Sequence, residues 1–145
     1  MTIVVDASVA AMWFLPEPGS DRAALLLIPE YDLVAPDLIL LEVGSAILKA
    51  VRRKEVSPAD GEEAVEELLP AAVRILPAAQ HAGEAFRIAQ RLGGSLYDAV
   101  YVSLAKSLGA PVVTNDEQLA AVARKAQVKA VMIAEGPPAL PRRQP

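Results

Sequence analysis

The chain has no cysteine and a single histidine, His81. The first absence excludes disulfide frameworks, zinc–thiolate sites and thiol nucleophiles, and the second excludes a metal centre built from several histidines. Long apolar runs are also lacking: the longest uncharged segment near the start, 7–16, has ten residues and is too short to span a bilayer. Since no basic segment opens the sequence, we expect a cytoplasmic protein without a signal peptide or membrane anchor.

The composition of the chain bounds its size and its partners. Its 145 residues suit one domain with a sizeable core. Hydrophobic residues make up 53% of it, a surplus that favours contact with another protein, such as a second copy of the chain. Eighteen acidic residues stand against 14 basic ones, for a net charge of −4. Taken alone, that balance argues against a nucleic-acid partner, because phosphate binding favours a basic surface.

Alternating strand and helix patterns predict an α/β fold. Short apolar, β-branched runs predict strands at 2–5, 33–35, 73–76, 110–114 and 130–133. Helical periodicity predicts helices at 7–15, 20–28, 37–54, 57–69, 80–92, 95–108 and 115–126, with Ser20 and Asn115 as N-caps and Gly109 as a C-cap. We therefore expect a three-layer domain over residues 1–135, with a mainly parallel central sheet flanked by helices. Residues 136–145 are rich in proline and predict a disordered tail.

Two acidic residues follow predicted strands. Asp6 comes directly after the first strand, and Asp116 comes two residues after the strand that ends at Thr114. Functional groups in open α/β sheets gather at the carboxyl ends of the strands, which predicts that both carboxylates reach one site. Either residue could instead only cap the helix that follows it.

Two further acidic residues lie in predicted helices. Glu42 falls in the apolar run 38–43, so we expect it to be buried, where an unpaired carboxylate is costly. No Lys or Arg lies within one turn of it, which leaves a distant base or a cation as its partner. Asp98 stands three residues after Ser95, as in a capping box. Because the helix continues as an apolar run, Asp98 could cap it and still face a site at the sheet edge.

Four carboxylates without cysteine or histidine partners predict a site of oxygen ligands, which suits Mg²⁺ or Mn²⁺. Successive members of the set Asp6, Glu42, Asp98 and Asp116 are 36, 56 and 18 residues apart. Such spacing excludes a local loop of the EF-hand kind, so the fold must assemble the site. A divalent ion held in this way polarises a phosphate and lowers the pKa of a bound water, which favours phosphoryl chemistry.

Five motifs follow one another along the chain: Val4–Ser8, Trp13–Leu15, Pro36 with Leu41–Val43, Leu96–Val102 and Val113–Asp116. Together they resemble a PIN domain, and within that family the VapC-like ribonucleases of toxin–antitoxin pairs. The resemblance covers Thr2 to Ile133. It implies that Asp6, Glu42, Asp98 and Asp116 hold one or two Mg²⁺ or Mn²⁺ ions, with Asp6 and Asp98 as the most direct ligands and Asp116 as the most dispensable. It also implies that Ser8 and Thr114 support the pocket.

The same resemblance implies an activity and partners. The reaction would be metal-dependent endonucleolytic hydrolysis of single-stranded or structured RNA by water. The protein would form a homodimer, and a small antitoxin protein would hold it inactive. One position departs from the family pattern: Ser45 stands where many relatives carry Asn. Because Ser can still bond a carboxylate or a water, we expect an altered site and not an inactive one.

Basic and aromatic residues supply the candidates for RNA contact. Arg52, Arg53 and Lys54 end a predicted helix and could bind phosphates or only complement the helix dipole. Tyr97, next to Asp98, is expected to face the site and stack on a base. Tyr101 is expected to lie in the core. Weaker basic candidates are Arg87, Arg91 and Lys106.

Other functions remain in competition. A phosphotransferase of the haloacid-dehalogenase type needs a second acid where Ser8 stands, and a receiver domain needs paired acids after the first strand and a late Lys that is absent here. A decayed PIN scaffold that only contacts proteins is opposed by the presence of all four acids, and a stand-alone PIN nuclease without antitoxin stays open. Without the quartet, 14 acidic residues remain against 14 basic ones, so the net charge does not exclude RNA.

Overall fold

The computed structural model describes residues 1–139. Its strands are β1 (Thr2–Val5), β2 (Asp32–Pro36), β3 (Arg74–Leu76), β4 (Val112–Thr114) and β5 (Ala130–Met132). Its α-helices are α1 (Ala7–Ala10), α2 (Ser20–Ala24), α3 (Leu38–Arg52), α4 (Pro58–Glu63), α5 (Leu69–Ala72), α6 (Ala82–Leu92), α7 (Leu96–Leu108) and α8 (Glu117–Lys125). Short 3₁₀ turns at Ala11–Trp13, Ala79–His81 and Ile133–Glu135 join or extend these elements.

All five strands are parallel, in the order β3-β2-β1-β4-β5. The central strand β1 is a β-branched run whose residues Ile3, Val4 and Val5 have no exposed surface. Burial on both faces is what a parallel sheet requires of its strands. The prediction of a mainly parallel sheet flanked by helices is thus confirmed, and the sheet is wholly parallel.

Helices cover both faces of the sheet. The chain moves outward from β1 to β2 and β3, then crosses back to β4 and continues to β5. Because crossovers between parallel strands are right-handed, the connections that run in these two directions lie on opposite faces. Helices α1 to α5 thus form one layer, and α6 to α8 form the other. Helix α7 packs on β1, β2 and β4 and carries a continuous buried run from Ala99 to Ala105.

Several predicted helix boundaries were wrong. The helix predicted at 20–28 ends at Ala24, and the next three residues form 3₁₀-type turns, with the N–H of Leu27 donating to the carbonyl of Ala24. Pro29 disfavours helical backbone in the residue before it, and Leu25, Leu27 and Ile28 are exposed, so no apolar face holds this segment in a helix. At its other end Gly19, not Ser20, is the N-cap.

The helix predicted at 57–69 extends to Ala72 through a π-helical stretch at Ala64–Leu68. Ser57 caps its start, with its hydroxyl accepting from the N–H of Asp60. Pro70 lacks an N–H, and its ring crowds the carbonyl four residues earlier. A widened turn ahead of the proline relieves that crowding and lets the helix continue.

The segment after β5 packs against the start of β2. Pro138 is buried, and its carbonyl accepts a hydrogen bond of 2.6 Å from the Tyr31 hydroxyl. The disordered tail was predicted for 136–145; residues 140–145 of it lie outside the described residues, and the domain boundary at 135 stays a prediction. Within residues 1–139, no helix combines the length and apolar character needed to cross a membrane.

Candidate active site

The carboxyl ends of β1 and β4 lie side by side, and the chain leaves these two strands in opposite directions along the sheet. Open α/β sheets bind their ligands at such a switch point. Asp6 follows β1 directly, and the pairing of Val5 with Val113 brings it level with Thr114, the last residue of β4. The topology therefore places Asp6 and the segment 114–116 at one edge, as the sequence predicted.

Three donors hold the buried carboxylate of Asp6. Its Oδ1 accepts from the Ser8 hydroxyl at 2.7 Å and from the Val9 N–H at 3.3 Å, and its Oδ2 accepts from the Thr114 hydroxyl at 2.7 Å. The bond from Val9 makes Asp6 the N-cap of α1. The capping interpretation and the site interpretation of Asp6 are therefore compatible.

The same two hydroxyls also fix the backbone that leaves β4. Ser8 Oγ accepts from the N–H of Asn115 at 2.8 Å, and Thr114 Oγ1 accepts from the N–H of Asp116 at 2.9 Å. Each hydroxyl thus donates to Asp6 and accepts from the neighbouring loop. Ser8 and Thr114 have the supporting position predicted for them, and they join the β1 and β4 ends into one unit.

Burial raises the pKa of Asp6 to about 6. The hydrogen bonds from Ser8, Thr114 and Val9 act in the opposite direction, and the negative charge of Asp116 raises the value further. Because desolvation outweighs three donors, the ionised form of Asp6 is poorly stabilised by the protein alone.

Asp116 caps α8. Its Oδ1 accepts from the N–H groups of Gln118 at 2.8 Å and Leu119 at 3.4 Å. The prediction of Asn115 as this cap was wrong by one residue, because the backbone of Asn115 is engaged by Ser8 and the carboxylate of Asp116 is the one that faces the free N–H groups. One oxygen of Asp116 is thus committed to the helix, and its Oδ2 makes no hydrogen bond within the described residues.

Glu42 lies in a different environment from the one predicted. Helix α3 is not apolar all round: its buried face carries Ile39, Val43 and Ile47, while Leu41 is 78% exposed and Glu42 stands at the solvent-exposed edge. Partial burial still raises the pKa of Glu42, the charge of Asp98 raises it further, and a hydrogen bond from Tyr101 lowers it. The expectation of a fully buried carboxylate was wrong, because a run of leucines does not show which of them faces the core.

The protein partner of Glu42 is neither a base nor a residue assigned to the site from sequence. Its Oε1 accepts a hydrogen bond of 2.8 Å from the hydroxyl of Tyr101. Tyr101 is buried, as predicted, but its hydroxyl reaches the site. The available signal was its spacing: Tyr101 comes three residues after Asp98 and therefore lies on the same face of α7.

Asp98 begins α7 and faces the other carboxylates. Ser95 caps the helix, with its hydroxyl accepting from the N–H of Asp98 at 3.0 Å. Burial raises the pKa of Asp98, and the charge of Asp116 raises it further, while hydrogen bonding to Ser95 lowers it. As predicted, a residue in the first turn of a buried helix both belongs to the cap and points toward the site.

The glycine ahead of this cap holds α7 against α8. Gly94 has φ = +79°, and a Cβ at that position would lie 2.7 Å from Val122 Cγ2 in the core. We expect Gly94→Ala to lower the free energy of unfolding by about 2–4 kcal/mol, because left-handed backbone strain adds to overpacking. Chemical denaturation measures this loss. Gly109→Ala, with φ = +59° and open space around its Cβ, is the matched control and should cost only about 1 kcal/mol; equal losses would contradict the packing argument.

Mutual repulsion links all four carboxylates. The charge of Asp116 raises the pKa values of Asp6 and Asp98, and the charge of Asp98 raises that of Glu42. The ion pairs seen in residues 1–139, Arg74–Asp32 and Arg87–Glu84, involve no member of the quartet. The four acids predicted from sequence thus lie close enough for these pairs to feel each other's charge. Their charge is uncompensated by any protein cation in this part of the chain.

The chemistry of this donor set fits a hard divalent cation, since every candidate ligand is a carboxylate oxygen. The carboxylates do not form a complete coordination site. Within residues 1–139, no three His, Asp or Glu side chains lie close enough together to bind one ion in their present positions. Binding one ion through three of these carboxylates would therefore need movement of their side chains.

A cleft of about 520 Å³ runs along α3 from Glu42. Its lining includes Ser45, Lys49 and Arg53 of the α3 segment, together with Glu17 and Glu55. Ser45 thus lies beside Glu42, and its side chain makes no hydrogen bond within the described residues. Lys49 was missed from sequence; its signal was the spacing of seven residues from Glu42, two turns along the same helix face.

The other predicted RNA contacts lie apart from this cleft. Arg52 and Lys54 are exposed and do not line it, and Lys54 has φ = +61° where α3 ends. Tyr97 is 65% exposed at the start of α7 and makes no side-chain hydrogen bond in residues 1–139. Of the three basic residues predicted together, Arg53 alone lines the cleft that leads to Glu42.

Comparison with protein families gives one match that spans most of the chain. Residues 3–125 match the family described as PIN domain. Ribonuclease VapC3 of Pyrobaculum aerophilum is 34% identical over 122 residues, which cover 83% of this chain and 93% of that protein. The match includes all four candidate carboxylates, since the family region begins before Asp6 and ends after Asp116.

Solved structures share the fold. The crystal structure of PAE2754 from Pyrobaculum aerophilum superposes with a TM-score of 0.68 at 25% identity, covering 93% of this chain and 94% of that one. A chain of VapBC2 from Rickettsia felis, bound to a DNA fragment from their promoter, gives a TM-score of 0.64 at 13% identity and covers 91% and 98%. The five-stranded parallel sheet with its flanking helices is therefore the architecture of these proteins as well.

Proposed function

Because this chain belongs to the PIN-domain family, as a VapC-like ribonuclease, we propose that it is the endoribonuclease toxin of a toxin–antitoxin pair and that it cleaves RNA with Mg²⁺ or Mn²⁺ at its carboxylate quartet. The observation that carries the proposal is the cluster at the switch point. Four acids from β1, α3, α7 and the β4–α8 loop converge there, repel one another and have no protein cation to pair with in residues 1–139. A divalent cation is the partner that such a cluster favours.

Each residue of the cluster has a task in this proposal. Asp6, Glu42 and Asp98 would hold the ion, which when bound polarises a phosphate and lowers the pKa of a water. Ser8 and Thr114 fix both oxygens of Asp6 through bonds of 2.7 Å. Asp116 keeps α8 capped and adds negative charge, which agrees with its being the most dispensable ligand.

The direct test of the function is cleavage of single-stranded RNA by the purified protein. We expect endonucleolytic products with Mg²⁺ or Mn²⁺ and none with EDTA. Cleavage that persists in EDTA would contradict the metal mechanism. Complete inactivity on single-stranded and structured RNA, with no Mn²⁺ binding, would favour the decayed PIN scaffold that only contacts proteins.

We further propose that the cleft along α3 guides the RNA backbone toward the quartet. Glu42 and Arg53 are separated by 11 residues of sequence, which in a helix is about 16 Å, and Lys49 lies between them on the same wall. Phosphates can therefore meet two cations on their way to the site. Glu17 and Glu55 also line the cleft, so we expect the RNA backbone to follow the two cations and to avoid these carboxylates.

Removing these two cations should weaken RNA binding more than catalysis. We expect Lys49→Ala with Arg53→Ala to raise KM for RNA about tenfold with kcat nearly unchanged. Each lost phosphate contact should also reduce the slope of log K against log salt by about 0.7. Arg124→Ala with Lys125→Ala, both in the last turn of α8, is the charge-matched control. If the control changes KM as much as the double variant, the cleft does not bind RNA.

The proposed partners are an antitoxin protein and a second copy of the chain. The similarity to VapBC2 supports the antitoxin, and the apolar groove between α3 and α4, lined by Ile47, Leu48, Val51 and Val65, supports protein contact. A reading frame directly upstream that encodes a small DNA-binding protein would support a toxin, and its absence would favour a stand-alone nuclease. Sedimentation equilibrium tests the homodimer.

A further inference from the structure

Tyr101 is a buried residue that contacts the quartet and that the sequence did not assign to the site. Its side chain is 1% exposed in the middle of α7, and its hydroxyl donates to Glu42 Oε1 at 2.8 Å. A buried tyrosine hydroxyl needs a partner, but core tyrosines usually find one in the backbone. Here the partner is a carboxylate on another helix, at the open edge of the cluster.

The surroundings of this hydroxyl connect three parts of the site. Tyr101 stands one turn after Asp98 on α7, and it contacts Glu42 on α3. The charge of Asp6 and the backbone N–H of Ala7, at the junction of β1 and α1, also act on the phenol. A single rigid ring thus connects the elements that carry Asp6, Glu42 and Asp98.

The hydroxyl remains a donor throughout the working pH range. Burial raises the pKa of Tyr101 far above its usual value, and the charge and hydrogen bond of Glu42 and the charge of Asp6 raise it further, while the N–H of Ala7 acts in the opposite direction. The phenol therefore stays protonated, and Glu42 has a fixed neutral donor that does not compensate its charge.

We infer that Tyr101 is a positioning residue for the metal-binding quartet: it holds Glu42 Oε1 and leaves Oε2 free to bind a divalent cation. The inference rests on the proposed function. Glu42 is on an exposed helix edge and has rotational freedom that Asp6, held by three donors, lacks. Within the described residues Oε2 makes no hydrogen bond, so one oxygen is fixed and the other is available. Outer partners of this kind orient carboxylate ligands, and losing one typically costs 10–100-fold in metal affinity or activity.

Tyr101→Phe tests the inference, because it removes one oxygen and keeps the buried ring. We expect the Kd for Mn²⁺, measured by calorimetry, to rise about 10-fold or more and kcat to fall by a similar factor, with KM for RNA unchanged. Tyr31→Phe is the matched control, since Tyr31 is also buried and donates its hydroxyl to the carbonyl of Pro138, away from the quartet. It should leave Mn²⁺ affinity and kcat at the level of the unaltered protein.

A double-mutant cycle with Glu42 distinguishes a positioning role of Tyr101 from a merely structural one. In a Glu42→Gln background, adding Tyr101→Phe should have little further effect on Mn²⁺ affinity, because the carboxylate to be positioned is gone. Full additivity of the two changes, or unaltered Mn²⁺ affinity in Tyr101→Phe, would overturn the inference. Should Tyr101→Phe fail to fold, Glu42→Gln alone decides: if Mn²⁺ binds it as tightly as the unaltered protein, Tyr101 has no ligand to position.

The two proposals fail in different ways. If the unaltered protein binds Mn²⁺ and cleaves RNA while Tyr101→Phe does both equally well, only the role of Tyr101 is wrong. If the unaltered protein neither binds Mn²⁺ nor cleaves RNA, the proposed function is wrong and the positioning role is wrong with it.

Discussion

Asp6→Asn is expected to reduce RNA cleavage by about 1,000-fold or more and to abolish Mn²⁺ binding. A metal ion supplies several kcal/mol of charge stabilisation in the transition state, and every 1.36 kcal/mol corresponds to a factor of ten in rate. Asp6 is the most deeply buried of the four acids and the only one held by three donors, so no neighbour can move to replace it. Initial rates on a labelled single-stranded RNA measure the loss.

Substitution of the other acids should reduce RNA cleavage by amounts that depend on their contacts. Asp98→Asn is expected to be as severe as Asp6→Asn, whereas Asp116→Asn should be milder, because Asn still caps α8 and Oδ1 of Asp116 is already committed to that cap. Asp21→Asn, an exposed first-turn acid of α2, is the control for loss of one negative charge and should cleave normally. If Asp6→Asn cleaved RNA as fast as the control, the quartet would have no part in the mechanism.

The stability of the metal-free protein should fall as the pH rises from about 4 to 6. Asp6 has a pKa of about 6 in the folded chain against 3.8 as its ordinary value, so over this range the folded state binds more protons than the unfolded state. Stability then decreases with pH. In total, the raised pKa of Asp6 lowers the free energy of unfolding by about 3 kcal/mol. This loss is complete only at pH values above the pKa of Asp6 in the folded chain. Urea denaturation in EDTA at a series of pH values measures it.

Comparison with Asp6→Asn isolates this effect from other titrating groups. Asp32, whose pKa is lowered by its hydrogen bond to Arg74, acts in the opposite direction but is present in both proteins. The difference in unfolding free energy between the unaltered protein and Asp6→Asn should therefore change by about 2 kcal/mol between pH 4 and 6. A difference that is constant from pH 4 to 7 would contradict the burial of an ionisable Asp6. Added Mg²⁺ should restore stability above pH 6 in the unaltered protein alone.

The sequence allowed prediction of those parts of the site that depend on strand order and local capping. Asp6 and Asp116 follow strands, so once alternation predicted a parallel sheet, its carboxyl edge was their place. Asp98 was found through its capping box with Ser95, confirmed by the bond from its N–H. These signals are local in sequence. The order of the strands then brings the three residues to the same edge of the sheet.

What escaped prediction depends on helix rotation and on contacts between distant elements. Glu42 and Leu41 share an apolar run, yet both are exposed while Val43 is buried, because the packing of α3 on its neighbours selects one face. The bond from Tyr101 to Glu42 joins residues 59 apart: spacing puts Tyr101 on the same face of α7 as Asp98, but it does not indicate which residue of α3 lies opposite. The spacing of Lys49 from Glu42 likewise puts both on one face of α3, but it does not indicate that this face lines a cleft.

The most direct test of the central claim is calorimetric titration of the metal-free protein with Mn²⁺, beside Asp6→Asn and Asp98→Asn. The claim is that four carboxylates gathered at one sheet edge form a divalent-cation site. It predicts saturable binding of one or two ions to the unaltered protein and none to either variant. Absence of binding to the unaltered protein, or equal binding to all three, would contradict it.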